Sequence, residues 1–140
     1  MKVFKFLPPY DDKGKCTFKK SVNRSGVYLI KEDGVIVYVG YSGTNIYKTL
    51  YRHFEMWRHP LQEVTTYQTE LKRRKYTVRI IYCTKQQAVA LEKKLILKYK
   101  PRDNSMKYES YMEDISKTTQ AYMNKTYQTL KSTPIEDDPF

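Results

Sequence analysis

Two β-rich runs, Gly26 to Lys31 and Val35 to Val39, are separated only by Glu32-Asp33-Gly34. Runs of this kind, split by a short gap ending in glycine, read as an antiparallel hairpin. The turn admits two registers. A two-residue Asp33-Gly34 turn pairs Tyr28 with Val39 and leaves Tyr28 and Tyr38 on opposite faces. A three-residue loop, with Gly34 in the left-handed position of a bulge, pairs Lys31 with Val35 and sets Tyr28 opposite Tyr38. Only the second register lets both hydroxyls serve one site, and it is the one expected.

The remaining elements follow from periodicity and punctuation. Gly43-Thr44-Asn45 supplies a turn and an N-cap for a helix running to about Trp57. Ile46, Leu50, Phe54 and Trp57 form its core stripe, with Thr49 and His53 at one edge and Arg52 and Met56 beside them. Pro60 stops this helix. The polar, basic stretch from Leu61 to Lys75 reads as a second short helix carrying Lys72, Arg73 and Arg74. Thr77 to Cys83 is a third strand, and Gln86 to Tyr99 a further helix. Lys107 to Leu130 is expected to be helical too, ahead of an acidic end from Pro134 to Phe140. The first two dozen residues are rich in Lys and Asp, with a turn near Asp12-Lys13-Gly14 and room for one short edge strand. The expected fold is α/β (α+β): a small, mainly antiparallel three-stranded sheet flanked by helices. Residues 1–23 form an N-terminal extension, 24–106 the core domain, and 107–140 a C-terminal helical extension with an acidic tail.

Glu92 is the residue whose placement demands an explanation. On a helical projection Ala88, Val89, Leu95, Ile96 and Tyr99 make one apolar face, and Glu92 falls in its middle. A carboxylate buried there needs a neutralising partner. A metal ion is one answer; an arginine, a lysine or a tyrosine hydroxyl is another, so a functional acid and a structural ion pair both stand.

Charge points to the partner. Over 140 residues the formal net charge is +11, which favours a polyanion, nucleic acid being the commonest; a solvated lysine surface is the bland alternative. The 14 tyrosines suit base stacking as well as strands and core edges. Cys16 and Cys83 lack CxxC spacing, so zinc is not expected, and Cys83, closing an apolar run, is expected to be a buried free thiol. Met1 to Pro9 is too short for a signal peptide and no run is long enough to span a membrane, so a cytoplasmic location is expected. His53 and His59 do not share a helix face and do not suggest a two-histidine metal site.

Taken in order, Gly26-Val27-Tyr28, Tyr38-Val39-Gly40, Glu92 and the segment Lys100-Pro101-Arg102-Asp103-Asn104 resemble the GIY-YIG nuclease family. The resemblance runs from about Arg24 to Asn104. Each three-residue word is weak alone, and the ordered set is strong. It implies a metal-dependent endonuclease that hydrolyses DNA phosphodiester bonds. Tyr28 would match the tyrosine that helps activate the attacking water, and Tyr38 the one at the scissile phosphate. Glu92 would hold magnesium or manganese. Asn104 matches a late asparagine that orders the site, and Gly40, Ser42 and Lys48 fall where substrate contacts are expected.

One position departs from that pattern. The family's helical arginine, four residues before the residue matched by His53, is Thr49 here, and threonine cannot clamp a phosphate. Arg52, one turn along, is expected to substitute, with His53 beside it able to shuttle a proton. Lys48, Lys72, Arg73 and Arg74 would bind backbone phosphates. The alternative is a nucleic-acid-binding module that kept the scaffold and lost the chemistry. Glu136-Asp137-Asp138-Pro139-Phe140 resembles the acidic tip of bacterial single-stranded-DNA-binding proteins and would serve as a docking tail for a protein partner; an ordinary acidic tail is the plainer reading.

Overall fold

In a computed structural model that describes residues 5–55 and 65–123, the hairpin is the centre of the molecule. Strand β1 (Gly26–Glu32) pairs antiparallel with β2 (Val35–Ser42) on one side and with β3 (Tyr76–Tyr82) on the other, giving the order β2-β1-β3. Helix α1 (Ile46–Arg52) follows β2, α2 (Lys85–Tyr99) follows β3, and α3 (Ser105–Met123) comes last. Short 3-10 turns sit at Lys19–Ser21, Gln68–Glu70 and Arg102–Asn104. This is the antiparallel three-stranded α+β architecture expected, with flanking helices and a C-terminal helix. None of the described helices is long and apolar enough to cross a membrane.

The hairpin corrects the expected register. Its turn has two residues, Asp33 and Gly34, both at positive φ (49° and 85°), the backbone twist that matches antiparallel strands. Glu32 therefore faces Val35 and Lys31 faces Ile36, but the next pair is Ile30 with Tyr38 and then Tyr28 with Gly40. Val37 is the extra residue of a β-bulge. The bulge turns Val37 and Tyr38 toward one face, undoing the alternation that would have sent Tyr38 to the other. Tyr28 and Tyr38 thus share a face as diagonal neighbours rather than as a directly opposed pair.

The sheet carries a core on each side. Tyr28, Ile30, Val37 and Val78 pack with Ile46, Leu50 and Phe54 of the α1 segment, while Val27, Leu29 and Val39 pack with Ala88, Leu95 and Ile96 of α2. Asn45 caps α1 by accepting from the Lys48 amide at 3.2 Å. Thr84 caps α2 in a reciprocal box with Gln87, which explains why both helices begin where they do.

Other boundaries move. Helix α1 stops at Arg52 and turns through His53 and Phe54, short of the expected end at Trp57, which lies outside the described residues. Of the helix expected from Leu61 to Lys75, residues 65–75 form turns and one 3-10 segment, and 61–64 are not described. There Arg73 pairs with Glu70 and Arg74 with Asp33. Val89 and Tyr99 are exposed rather than part of the buried face of α2, because Val89 sits at the edge of the stripe and Tyr99 runs past the sheet. Cys83 is half-buried, and both cysteines are free thiols. In the N-terminal segment Leu7 makes one bridge to Val78. The acidic tail, and the part of the expected Lys107 to Leu130 helix beyond residue 123, lie outside the described residues.

Candidate active site

Gly40 makes the site possible. It lies opposite Tyr28 on the edge strand β2, and a Cβ there would run into the Tyr28 ring. With no side chain in the way, the phenol crosses Gly40 and reaches the C-terminal end of α1. Its hydroxyl lies 2.9 Å from Nε2 of His53. His53 is buried, and its Nδ1 sits 2.7 Å from the carbonyl of Thr65. A carbonyl only accepts, so Nδ1 carries the proton and donates. The neutral ring then presents a bare Nε2 to the Tyr28 O–H.

Burial keeps that ring neutral: it pulls the His53 pKa down to about 4, with the Thr65 carbonyl and the Asp103 charge pulling it back up and Arg52 opposing them. The tyrosines move the other way. Burial first, then the charges of Tyr38 and Glu92, push Tyr28 well above an ordinary phenol. Tyr38 is raised by burial and by Glu92, while its contact with the Tyr28 hydroxyl works in the opposite direction. Both phenols are protonated at neutral pH. The Tyr38 and His53 rings lie 4.4 Å apart between centroids, and the Tyr28 and Tyr38 rings 6.2 Å apart.

These groups open onto a cleft of about 620 Å³ lined by Tyr28, Tyr38, Arg52, His53, Asp103 and Lys107, among others. Thr49 and Asn104 also line it. The Thr49 hydroxyl points back to the Asn45 carbonyl at 3.3 Å. Asn104 is buried and spends its whole amide on one residue: Oδ1 accepts from the Val39 N–H at 2.7 Å and Nδ2 donates to the Val39 carbonyl at 3.0 Å. It fastens the Arg102–Asn104 turn to the free edge of β2, so its first role is to hold the cleft in shape.

Of the other residues expected at substrate, Ser42 accepts from the amides of Thr44 and Asn45 and shapes the turn before α1. Lys48 is exposed on α1, and Gly40 lies beneath Tyr28. None of these three lines the cleft.

Glu92 is only 2% exposed, and its partners come from α3. Lys107 Nζ lies 3.3 and 3.2 Å from its two oxygens, and the Tyr111 hydroxyl donates to Oε1 at 3.0 Å. Lys107 lines the cleft and Glu92 does not, so the ammonium stands between the carboxylate and the space where substrate fits. Among the described residues no three His, Cys, Asp or Glu side chains cluster as metal ligands. A cation held at Glu92 would therefore take one carboxylate and complete its shell with water and phosphate oxygens. Magnesium accepts that arrangement, so the donor set fits once Lys107 moves aside.

Arg102 and Asp103 also line the cleft, with Glu32 joined to Arg102 behind them, a grouping with no local signal in the sequence. Arg102 makes a two-pronged contact with Glu32 at 3.1 and 3.2 Å and reaches Asp103 at 2.9 Å. Asp103 also accepts from the Tyr67 hydroxyl at 2.7 Å. Burial would raise the Asp103 carboxyl, but the Arg102 and Tyr67 hydrogen bonds bring it below its ordinary value. Lys107 and Tyr111 were missed because they lie on the helix read as an extension; their spacing of four on one helix face was the available signal.

Against known proteins, the GIY-YIG catalytic domain matches residues 24–109, more than half of the chain. No curated protein and no solved structure matches it.

Proposed function

The chain belongs to the GIY-YIG family of nuclease-type enzymes, and on that premise we propose that it is a metal-dependent endonuclease acting on DNA in the cleft between α1 and the Arg102–Asn104 turn. The observation that carries this reading is the path from Tyr28 through His53 to the Thr65 carbonyl. A phenol raised by burial is a poor base alone, but it relays well. As the Tyr28 oxygen takes a proton from the attacking water, its own proton passes to Nε2 of His53. Burial disfavours the imidazolium so formed, and the Thr65 carbonyl and the Asp103 charge offset part of that cost. Tyr38, on the same face, donates to a phosphate oxygen. Arg52 lines the cleft where the neutral Thr49 cannot supply positive charge. Glu92 would hold the magnesium or manganese ion, which when bound supplies Lewis-acid stabilisation of the phosphate and the departing oxygen.

A second reading has its own support. With Thr49 neutral and the Glu92 carboxylate already neutralised by Lys107, the same scaffold would bind nucleic acid without cutting it. The exposed Lys48, Lys72, Arg73 and Arg74 suit backbone binding under both readings. Incubation with labelled single-stranded, duplex and branched DNA plus magnesium or manganese, beside Glu92→Ala, separates them. Cleavage that needs the metal and vanishes in the variant is expected. Salt-sensitive binding without cleavage would sink the nuclease reading and leave the binding module.

A further inference from the structure

A buried carboxylate needs a counter-charge in every state of the site, and at Glu92 that charge is supplied by a residue outside the nuclease reading. Lys107 Nζ bridges both Glu92 oxygens, yet its side chain is 48% exposed while that of Glu92 is 2% exposed. The stem therefore runs along the cleft wall with its tip turned inward. We propose that Lys107 is an exchangeable charge of this site, neutralising Glu92 before the metal arrives and turning into the cleft to bind the substrate phosphate once the metal has taken that carboxylate. The inference rests on the reading that Glu92 is the metal ligand.

Three observations favour exchange over a fixed structural pair. First, Lys107 lines the same cleft as Tyr28, Tyr38 and His53, so a change of rotamer moves its charge from carboxylate to substrate without moving α3. A lysine suits this, being a point charge on a flexible four-carbon stem. Second, Tyr111 donates to Oε1 of Glu92 independently of Lys107, so the carboxylate stays aimed when the ammonium leaves. Third, beyond Arg52 the cleft has little charge to direct at a phosphate. Thr49 is neutral with its hydroxyl turned to Asn45, and Arg102 is held by Glu32 and Asp103. The Tyr41 ring, 5.8 Å from Nζ, gives the ammonium a favourable surface alongside its path.

The test reads metal affinity rather than turnover. Manganese binding to the full chain is titrated by electron paramagnetic resonance for the wild type, Lys107→Met, Lys107→Arg and Glu92→Gln, with thermal melts of each. Removing the competing ammonium should tighten manganese binding about fivefold in Lys107→Met, the worth of one partly exposed ion pair. Lys107→Arg should show no tightening, and Glu92→Gln should abolish binding. Metal-dependent cleavage should fall about tenfold in Lys107→Met despite the tighter metal, consistent with one lost phosphate contact. Where the methionine variant does not fold, Lys107→Gln takes its place. Unchanged or weaker manganese binding in the neutral variant, with Glu92→Gln still abolishing it, overturns the exchange. Binding that survives Glu92→Gln overturns the metal assignment itself, and the exchange with it.

Discussion

The Tyr28 hydroxyl and Nε2 of His53 are 2.9 Å apart, and the Thr65 carbonyl fixes which of the two carries the shared proton. With Nδ1 committed as donor, Nε2 of His53 accepts in this bond and Tyr28 donates to it. The two side chains form one proton path rather than two catalytic groups.

Residues on one path are not additive. Tyr28→Phe and His53→Gln should each lower single-turnover cleavage by about 10²–10³-fold. The double variant should fall no further than the worse single. Multiplying losses in the double variant would show that the two residues act separately.

The same histidine sets a pH limit on stability. In the unfolded chain it titrates at its ordinary value, whereas in the fold burial lowers it to about 4. Below about pH 6.5 the unfolded state gains a proton that the folded state refuses. The stabilisation is complete above that pH and is lost progressively as pH falls toward 4, by an amount on the order of 3 kcal/mol. Urea unfolding of the wild type and His53→Gln at pH 7.5 and 4.5 isolates this contribution. The wild type should lose more stability over that range than the variant; parallel losses would mean the buried ring is protonated more easily than its surroundings imply.

Gly40 exists for Tyr28. In Gly40→Ala the new methyl and the phenol compete for one position, which should cost about 1–3 kcal/mol of stability by overpacking. Because the ring must leave His53 to relieve the clash, activity should fall well below what the remaining folded fraction explains. Thermal melts beside cleavage rates separate the two effects, and a variant whose activity tracks its folded fraction would refute the steric account.

How much of this was legible depended on whether local signals governed the outcome. Gly, Asp and Asn punctuation located β1, β2 and the start of α1, and the projection of α2 identified Glu92 as a buried acid. The hairpin register was misjudged because a bulge at Val37, the third residue of β2, does the work assigned to the turn. Nothing in Val35-Ile36-Val37 distinguishes the bulged residue from its neighbours. The partners of Glu92 were out of view for a different reason. Lys107 and Tyr111 share one face of a mostly polar helix, but only the tertiary path of α3 brings that face to α2. The Arg102–Glu32 pairing spans 70 residues and leaves no local trace either.

Asn104 offers the sharpest test of what holds the cleft's far wall. Strand β2 is an edge, so Val39 turns an N–H and a carbonyl outward with no strand to meet them. The Asn104 amide supplies the matching donor and acceptor, acting as a one-residue strand. Asn104→Ala should cost about 2–4 kcal/mol, since two buried backbone groups lose their partners at once. Asn104→Asp discriminates more finely. Its carboxylate still accepts from the Val39 N–H but sets an oxygen against the Val39 carbonyl, which raises its folded pKa above the unfolded value. A protonated carboxyl, by contrast, makes both bonds. The aspartate variant should therefore be clearly less stable than wild type at pH 7.5, and the gap should narrow as pH falls through that raised pKa. Urea unfolding of both proteins across that range measures the gap directly. A gap that stays constant with pH would mean the Asn104 side chain fills space at the strand edge rather than completing its hydrogen bonds.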